Sequence, residues 1–248
     1  MRRSILITGA SSGLGEGMAR EWAAKGRDLA LCARRLDRLE ALRDELVERH
    51  PNIRVSIRAL DVNDHEAVFR VFREFHDEFG TLDRIIVNAG AGKGGPVGTG
   101  LFEANRHTAE TNFVAALAQC EAAMEILREQ RQGHLVIISS MSAMRGMPRI
   151  MATYAATKAG VAALAEGLRI EMRGKPIKIS TIYPGYIDTD INRKMKSRPF
   201  VVDTVTGCKA LVKAIEREPD KAYVPGWPWT PIGFVMRRLP LSVLGKLS

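Results

Sequence analysis

Short apolar, β-branched runs alternate with longer stretches of helical periodicity along almost the whole 248-residue chain, and few folds tolerate that pattern. Strands are expected at Ser4–Thr8, Asp28–Ala33, Arg54–Ala59, Arg84–Val87, His134–Ser139, Lys178–Tyr183 and Ala222–Val224. Helical patterns lie between them, at Gly13–Lys25, Leu36–Arg49, Asp64–Phe79, Asn105–Arg131, Ala152–Arg173 and Asp203–Glu216. Near-continuous apolar strands are buried on both faces, so the helices must cover a parallel sheet on each side. Right-handed crossovers then give a doubly wound α/β sheet of about seven strands. No repeat or linker divides residues 1–248, and one domain is expected.

Composition removes the competing classes. Hydrophobic residues make up 46% and charged residues 26%, which suits a packed core rather than disorder. No apolar run is long enough to span a bilayer. The start of the chain, from Met1 to Ile7, is too short an apolar stretch for a secretory leader and leads directly into a glycine turn. Cys32, Cys120 and Cys208 are scattered and odd in number, which fits a reduced, cytoplasmic setting. The net charge of +9 is dispersed among acids, without a basic tract or aromatic-basic stacking motif, so nucleic acid is not an expected partner. His50, His65, His76, His107 and His134 show no ligand spacing, and no metal is expected.

The first strand runs into Gly9-Ala10-Ser11-Ser12-Gly13-Leu14-Gly15 and then a helix. Glycines there permit a tight turn and a close approach of backbone to a pyrophosphate, which the amides at the helix start attract. The end of the second strand distinguishes the two nicotinamide dinucleotides. An acid at that position would bind the ribose hydroxyls of NAD, but the chain has Ala33-Arg34-Arg35. Forked guanidinium donors suit a 2′-phosphate, so NADP(H) is preferred over NAD(H), with Arg34 the first contact and Arg35 the second.

Tyr154 and Lys158 are four residues apart in a helical pattern, hence on one face. They follow the fifth strand, which ends Ile137-Ile138-Ser139-Ser140, and precede Tyr183-Pro184-Gly185 after the sixth. Together with Thr8, the Gly-x3-Gly-x-Gly turn, Asp61-Val62, Asn88-Ala89-Gly90 and Asn112, this order resembles the short-chain dehydrogenase/reductase family from Thr8 to about Thr189. The resemblance implies a Rossmann-type fold and a hydride transfer between nicotinamide and a ketone or secondary alcohol. It implies that Tyr154 protonates the forming alkoxide. It gives Lys158 a role in lowering the phenol's pKa and in holding the nicotinamide ribose. Ser140 would bond the substrate oxygen, and Asn112 would hold a water that links Lys158 to solvent. Gly9, Ser11, Ser12, Gly13, Leu14, Gly15, Asp61, Val62, Asn88, Ala89 and Gly90 fall in the expected cofactor site, completed by Pro184, Gly185, Ile187 and Thr189. The chain departs from the pattern twice. Ser12 stands where relatives with NADP carry a basic residue, and Ser140 lies 14 rather than 13 residues before the tyrosine, which leaves Ser142 as the alternative serine.

Gly90–Gly100 is expected to be a loop, and residues 186–199, which include Arg193, Lys194, Lys196 and Arg198, a mobile segment over the site. Tyr186, Ile187, Ile191 and the apolar tail 225–248 point to a hydrophobic carbonyl, a 3-oxoacyl chain or another lipid-like ketone, and the family's acyl-chain ketoreductases are similar in general appearance. Trp227 and Trp229 are expected to pack on the core or on a partner subunit. Peripheral membrane contact through the tail with Arg237, Arg238 and Lys246 is the alternative. The resemblance also implies a homodimer or homotetramer. Two other functions stay open: a dinucleotide-binding redox sensor without turnover, and an NAD-preferring alcohol or sterol dehydrogenase of the same fold.

Overall fold

The computed structural model describes residues 2–92, 94–193 and 197–242, so Lys194, Lys196 and Lys246 lie outside the described residues. Seven parallel strands form one sheet in the order β3-β2-β1-β4-β5-β6-β7. They are β1 (Ser4–Thr8), β2 (Asp28–Ala33), β3 (Val55–Ala59), β4 (Arg84–Val87), β5 (Gly133–Ile138), β6 (Ile177–Pro184) and β7 (Lys221–Val224). The strand order reverses between β1 and β4. Loops leaving the carboxyl ends of these two strands must diverge there and open a crevice.

Successive side chains point to opposite faces, and both faces are apolar. Ile5, Ile7, Leu29, Leu31, Ile86 and Val136 meet α1 (Gly13–Ala23), α2 (Leu36–Arg49) and α7 (Thr204–Ile215). Leu6, Ala30, Ile85, Val87 and Ile137 meet α3 (His65–Phe79), α5 (Ala115–Gln130) and α6 (Ala152–Glu171). Asp64 caps α3 by accepting from the Ala67 amide at 3.0 Å, and Asp203 caps α7 through Thr206 at 2.9 Å, which supplies partners for donors the helices cannot satisfy internally.

The long helical pattern before β5 begins earlier than Asn105. It runs as α4 (Phe102–Ala109), a π-turn (Glu110–Val114) and α5. A second difference is at the tail, where Gly226–Met236 form a helix, α8, with a non-helical break at Trp227. Three prolines in seven residues, Pro225, Pro228 and Pro231, hide it from a periodicity reading. Pro228 opens the first turn after the break, where a missing amide is best tolerated, and Pro231 lies inside the helix. The helix also divides the two tryptophans that were expected to behave alike. Trp229 is buried at 5% exposure, whereas Trp227 is 81% exposed and packs on no core.

At the amino ends of the strands a polar network is sealed in. Arg84 donates from Nε to His134 Nδ1 at 2.9 Å, and reaches Glu216 and Glu218 with its other nitrogens. Because Nδ1 accepts, the ring proton sits on Nε2 and faces Ser180 Oγ at 2.7 Å, and that hydroxyl donates to the Pro219 carbonyl. Arg2 closes the cluster on Glu218 at 2.8 Å.

Candidate active site

The cleft opens at the carboxyl end of the sheet beside the reversal point, and the turn after β1 forms its floor. Gly9 and Gly13 have φ of 67° and 58°, a region costly for other residues. A Cβ on Gly9 would stand 2.9 Å from the Ala89 Cα, and one on Gly15 would stand 2.4 Å from the Gly9 carbonyl oxygen. The helix start is thus drawn tight against the strand. Ser12, the N-cap of α1, makes no side-chain cap, so the first-turn amides face the cleft without an internal partner. Such a cradle, with a positive helix end and no side chains, fits a dinucleotide pyrophosphate.

Thr8 joins this floor to the next strand. Its hydroxyl, fully buried, donates to the Ile86 carbonyl and accepts from the amides of Asn88 and Ala89, both at 3.0 Å. The Asn88 side chain returns a bond to the Thr8 carbonyl at 2.9 Å. Arg34 and Arg35 leave β2 on the same side. Arg35 lays its guanidinium across the turn, bonding Ser11 Oγ at 3.2 Å and Ser12 Oγ at 2.7 Å. Among the described residues the Arg34 side chain makes no hydrogen bond, and it lines the cleft exposed. Asp61, Val62, Asn88, Ala89 and Gly90 also line it, with Leu14, Pro184, Gly185, Ile187 and Thr189.

Asn112 lies in the π-turn, and both facts have one cause. A π-turn breaks the regular ladder and re-aims a side chain. Here the Asn112 amide is 1% exposed and clamps Ala91 twice, accepting from its amide and donating to its carbonyl, each at 2.7 Å. Both polar ends of the side chain therefore fix the loop after β4. The Lys158 ammonium lies nearby, since a Cβ on Gly90 would be 3.1 Å from Asn112 Oδ1 and 3.5 Å from Lys158 Nζ.

Ser140 continues β5 in an extended conformation, its hydroxyl accepting from the Ser142 amide at 3.1 Å, and it lines the cleft beside Tyr154. Ser142 stands off the cleft, and among the described residues its buried Oγ has no partner. Two short 3-10 turns, Met141–Met144 and Arg149–Met151, fill the longer interval before Tyr154, and Arg149 takes a φ of 56°. Ser139 donates to the Lys158 carbonyl at 2.7 Å and so pins α6 to β5. Lys158 is 6% exposed and donates to the Ile138 carbonyl at 3.0 Å.

The electrostatics depart from expectation at one point. Burial lowers the Lys158 ammonium to about 8. Burial also raises the Tyr154 phenol, with the Ser140 hydroxyl opposing it, so the protein alone does not lower that pKa. The physical reason is distance and commitment: Nζ is 6.0 Å from the ring centre and directed at a carbonyl, while both groups are desolvated by burial. At neutral pH the phenol keeps its proton and the amine its charge.

Residues 187–192 come down over the cradle, with Thr189 against Gly13. Ile187 bridges to Val202, Asn192 donates to the Ile187 carbonyl at 2.8 Å, and Arg198 bonds Asp188 and Asn192, so the described parts of this segment are tied at both ends. Several cleft residues carried no sequence signal beyond adjacency: Asn63 beside Asp61-Val62, Thr111 beside Asn112, and His107 and Asp190. Thr111 and Asn63 bond each other at 3.2 Å. Among the described residues no group of His, Cys, Asp or Glu could hold a metal, and the three cysteines are free and buried. No described helix is long and apolar enough to cross a membrane.

Comparison with known proteins follows the same lines. The short chain dehydrogenase family model matches residues 3–199. The chain is 54% identical over 239 residues to an uncharacterised oxidoreductase of Mycobacterium tuberculosis, covering 96% of this chain and 94% of that one. The alcohol dehydrogenase of the archaeon Thermococcus sibiricus, solved with 5-hydroxy-NADP, is 26% identical with a TM-score of 0.79, over 89% of this chain and 95% of that one. A short chain dehydrogenase/reductase of Burkholderia phymatum, solved with NAD, shares the fold at a TM-score of 0.83 and 20% identity, over 99% of this chain and 95% of that one. A seven-stranded parallel sheet with a glycine cradle at its reversal point, matched by the family model over most of its length, makes this chain an oxidoreductase of the short-chain dehydrogenase family with a nicotinamide dinucleotide site.

Proposed function

We propose that the chain reduces a hydrophobic ketone to a secondary alcohol with NADPH, using Ser140, Tyr154 and Lys158. One observation carries the reading: the Ser140–Tyr154 hydroxyl pair and the buried Lys158 ammonium share a cleft with the glycine cradle. When bound, the dinucleotide supplies the hydride. Ser140 holds the carbonyl oxygen, Tyr154 gives that oxygen its proton, and Lys158 balances the phenolate left behind until solvent reprotonates it. The raised phenol pKa suits this direction, because an acid must begin protonated. Asn112 acts through Ala91, keeping the loop after β4 at its distance from Lys158. Replacement of Tyr154 by Phe should leave NADPH affinity within about twofold and lower ketone turnover by roughly a thousandfold or more. Full turnover in that variant would sink the mechanism.

The preference for NADP(H) is supported by Arg34 and Arg35 at the end of β2, where no acid stands. Arg34 has free donors and is the first contact, while Arg35 is already engaged with Ser11 and Ser12 and braces the turn. Arg34→Ala should raise the KM for NADPH about tenfold, the scale of one charge-assisted contact, and leave that for NADH unchanged. A lower KM for NADH than NADPH in the native chain would reject the preference.

Finer expectations about partners rest on surface chemistry. Phe113 and Ile170, on the π-turn and α6, are exposed at 37% and 71% and support assembly with further copies of the chain, which light scattering would test. The outer side of α8, with Trp227 and Phe234, and Arg238 just beyond its end are the part suited to peripheral membrane contact, and vesicle flotation tests it. The buried free cysteines are consistent with a cytoplasmic setting.

A further inference from the structure

Aromatic residues make up only 6% of the chain, yet all four tyrosines and two of the three tryptophans lie at one end of the molecule, around the end of β6. Trp229 presses its indole on Gly185, which lines the cleft: a Cβ there would stand 2.0 Å from the ring. Tyr186 meets the indole edge-on with centroids 5.8 Å apart, and Phe200 meets it at 89° and 6.2 Å. Tyr183 and Tyr223 stack behind at 5.3 Å. Tyr186 also lies close enough to Tyr154 to act on its phenol.

The wall is held rigidly. Gly233 lets α8 approach Tyr223 and Met141, where a Cβ would be 3.0 and 3.2 Å from the nearest atoms. Arg145, five residues after Ser140, caps the helix end by donating to the carbonyls of Met236, Arg237 and Leu239. Two details remain unexplained by packing alone. Phe200 is 60% exposed although its ring is oriented, and among the described residues the buried Trp229 indole N–H has no partner. The family model ends at residue 199, so Phe200 and Trp229 stand outside what it matches.

We infer that Tyr186 and Phe200, backed by the buried Trp229, form an aromatic wall beside the cleft at Gly185 that selects ketones borne on flat rings, aryl or fused, over straight acyl chains. This rests on the reductase reading and narrows the range of hydrophobic carbonyls it allows. The physical reason is that oriented rings present edges and faces that another ring can meet in offset or perpendicular geometry. A ring also arrives with its rotors already fixed, whereas an alkyl chain must lose them on binding.

The test uses two ketones of equal carbon number, 1-tetralone and 2-decanone, with the NADPH-loaded full chain. Binding is followed by calorimetry, and turnover is measured on the same samples. The expected result is at least tenfold tighter binding and a tenfold higher kcat/KM for 1-tetralone. Phe200→Ala, on an exposed side chain, should cut that preference about threefold, and Trp229→Ala about tenfold. Both variants should keep NADPH affinity and act mainly through the ketone's KM. Equal or better binding of 2-decanone, or a preference unmoved by both substitutions, overturns the wall. Selective binding of 1-tetralone without turnover upholds the wall and counts against the reductase reading alone. Turnover without preference does the reverse, and absence of binding by either ketone overturns the wall.

Discussion

The two ends of the sheet each bury a cation, and they treat it differently. At the amino end Arg84 is 2% exposed and meets two carboxylates and an imidazole, with His134 and Ser180 passing the bonding on to a carbonyl. At the carboxyl end Lys158 is 6% exposed, and among the described residues its ammonium has one bond, to a backbone carbonyl. A buried charge with a full set of partners locks strands together. One with a single neutral partner keeps donors in reserve and a pKa near the working range, as chemistry requires. The lesson is that burial alone does not mark a functional group; unfinished bonding beside an open cleft does.

Four experiments can break this contrast. The largest effect is expected from Lys158→Met, which should lower kcat/KM by about a thousandfold, roughly 4 kcal/mol, while the melting temperature holds or rises because a costly buried ammonium is gone. A parallel collapse of stability would make Lys158 structural. Arg84→Met should do the opposite. It leaves Glu216 and Glu218 without their buried partner and should cost about 3 kcal/mol in denaturant unfolding, with activity per folded molecule kept within twofold. Lost activity in the folded fraction would mean that the two ends are coupled.

The third experiment concerns acid. Burial and the neighbouring Arg84 hold the His134 imidazole well below its usual value, so the folded protein takes up this proton later than the unfolded chain. Stability from that difference is complete above about pH 6.5 and falls as the pH drops below it, with a limiting slope of about 1.4 kcal/mol per pH unit. His134→Gln should flatten the acid limb of a melting-temperature profile; an unchanged limb would assign it to other groups. The smallest effect lies at alkaline pH. With Lys158 held to about 8, kcat/KM for reduction should decline above that pH as its charge is lost. A profile flat to pH 9.5 would show that the ammonium's charge is not required.

Much of this was legible without coordinates. Strand runs such as Ile5-Leu6-Ile7 and Leu29-Ala30-Leu31 are apolar on both faces, and only a covered parallel sheet accepts them. The glycine turn was readable because Gly9, Gly13 and Gly15 answer local demands, a positive φ or a contact with backbone a few residues away. Tyr154 and Lys158 share a helical face by arithmetic. Other features were not legible. Helix α8 was masked by its prolines. The clamp of Asn112 on Ala91 spans 21 residues and depends on a π-turn that no periodicity announces. Arg35 on Ser11 and Ser12 joins the ends of two strands that become neighbours only in the sheet.

The residue order therefore determined the strand count, the place of the cradle and the types of chemical group at the cleft, since each follows from local geometry or short-range spacing. Tertiary structure decided how those groups are charged and partnered. It raised the Tyr154 phenol where a neighbouring ammonium was expected to lower it, and it separated Ser140 from Ser142. It also set Trp229 in the wall while leaving Trp227 outside. Protonation, hydrogen-bond completion and burial depend on desolvation by residues distant in the chain, and that environment exists only once the sheet and its helices have packed.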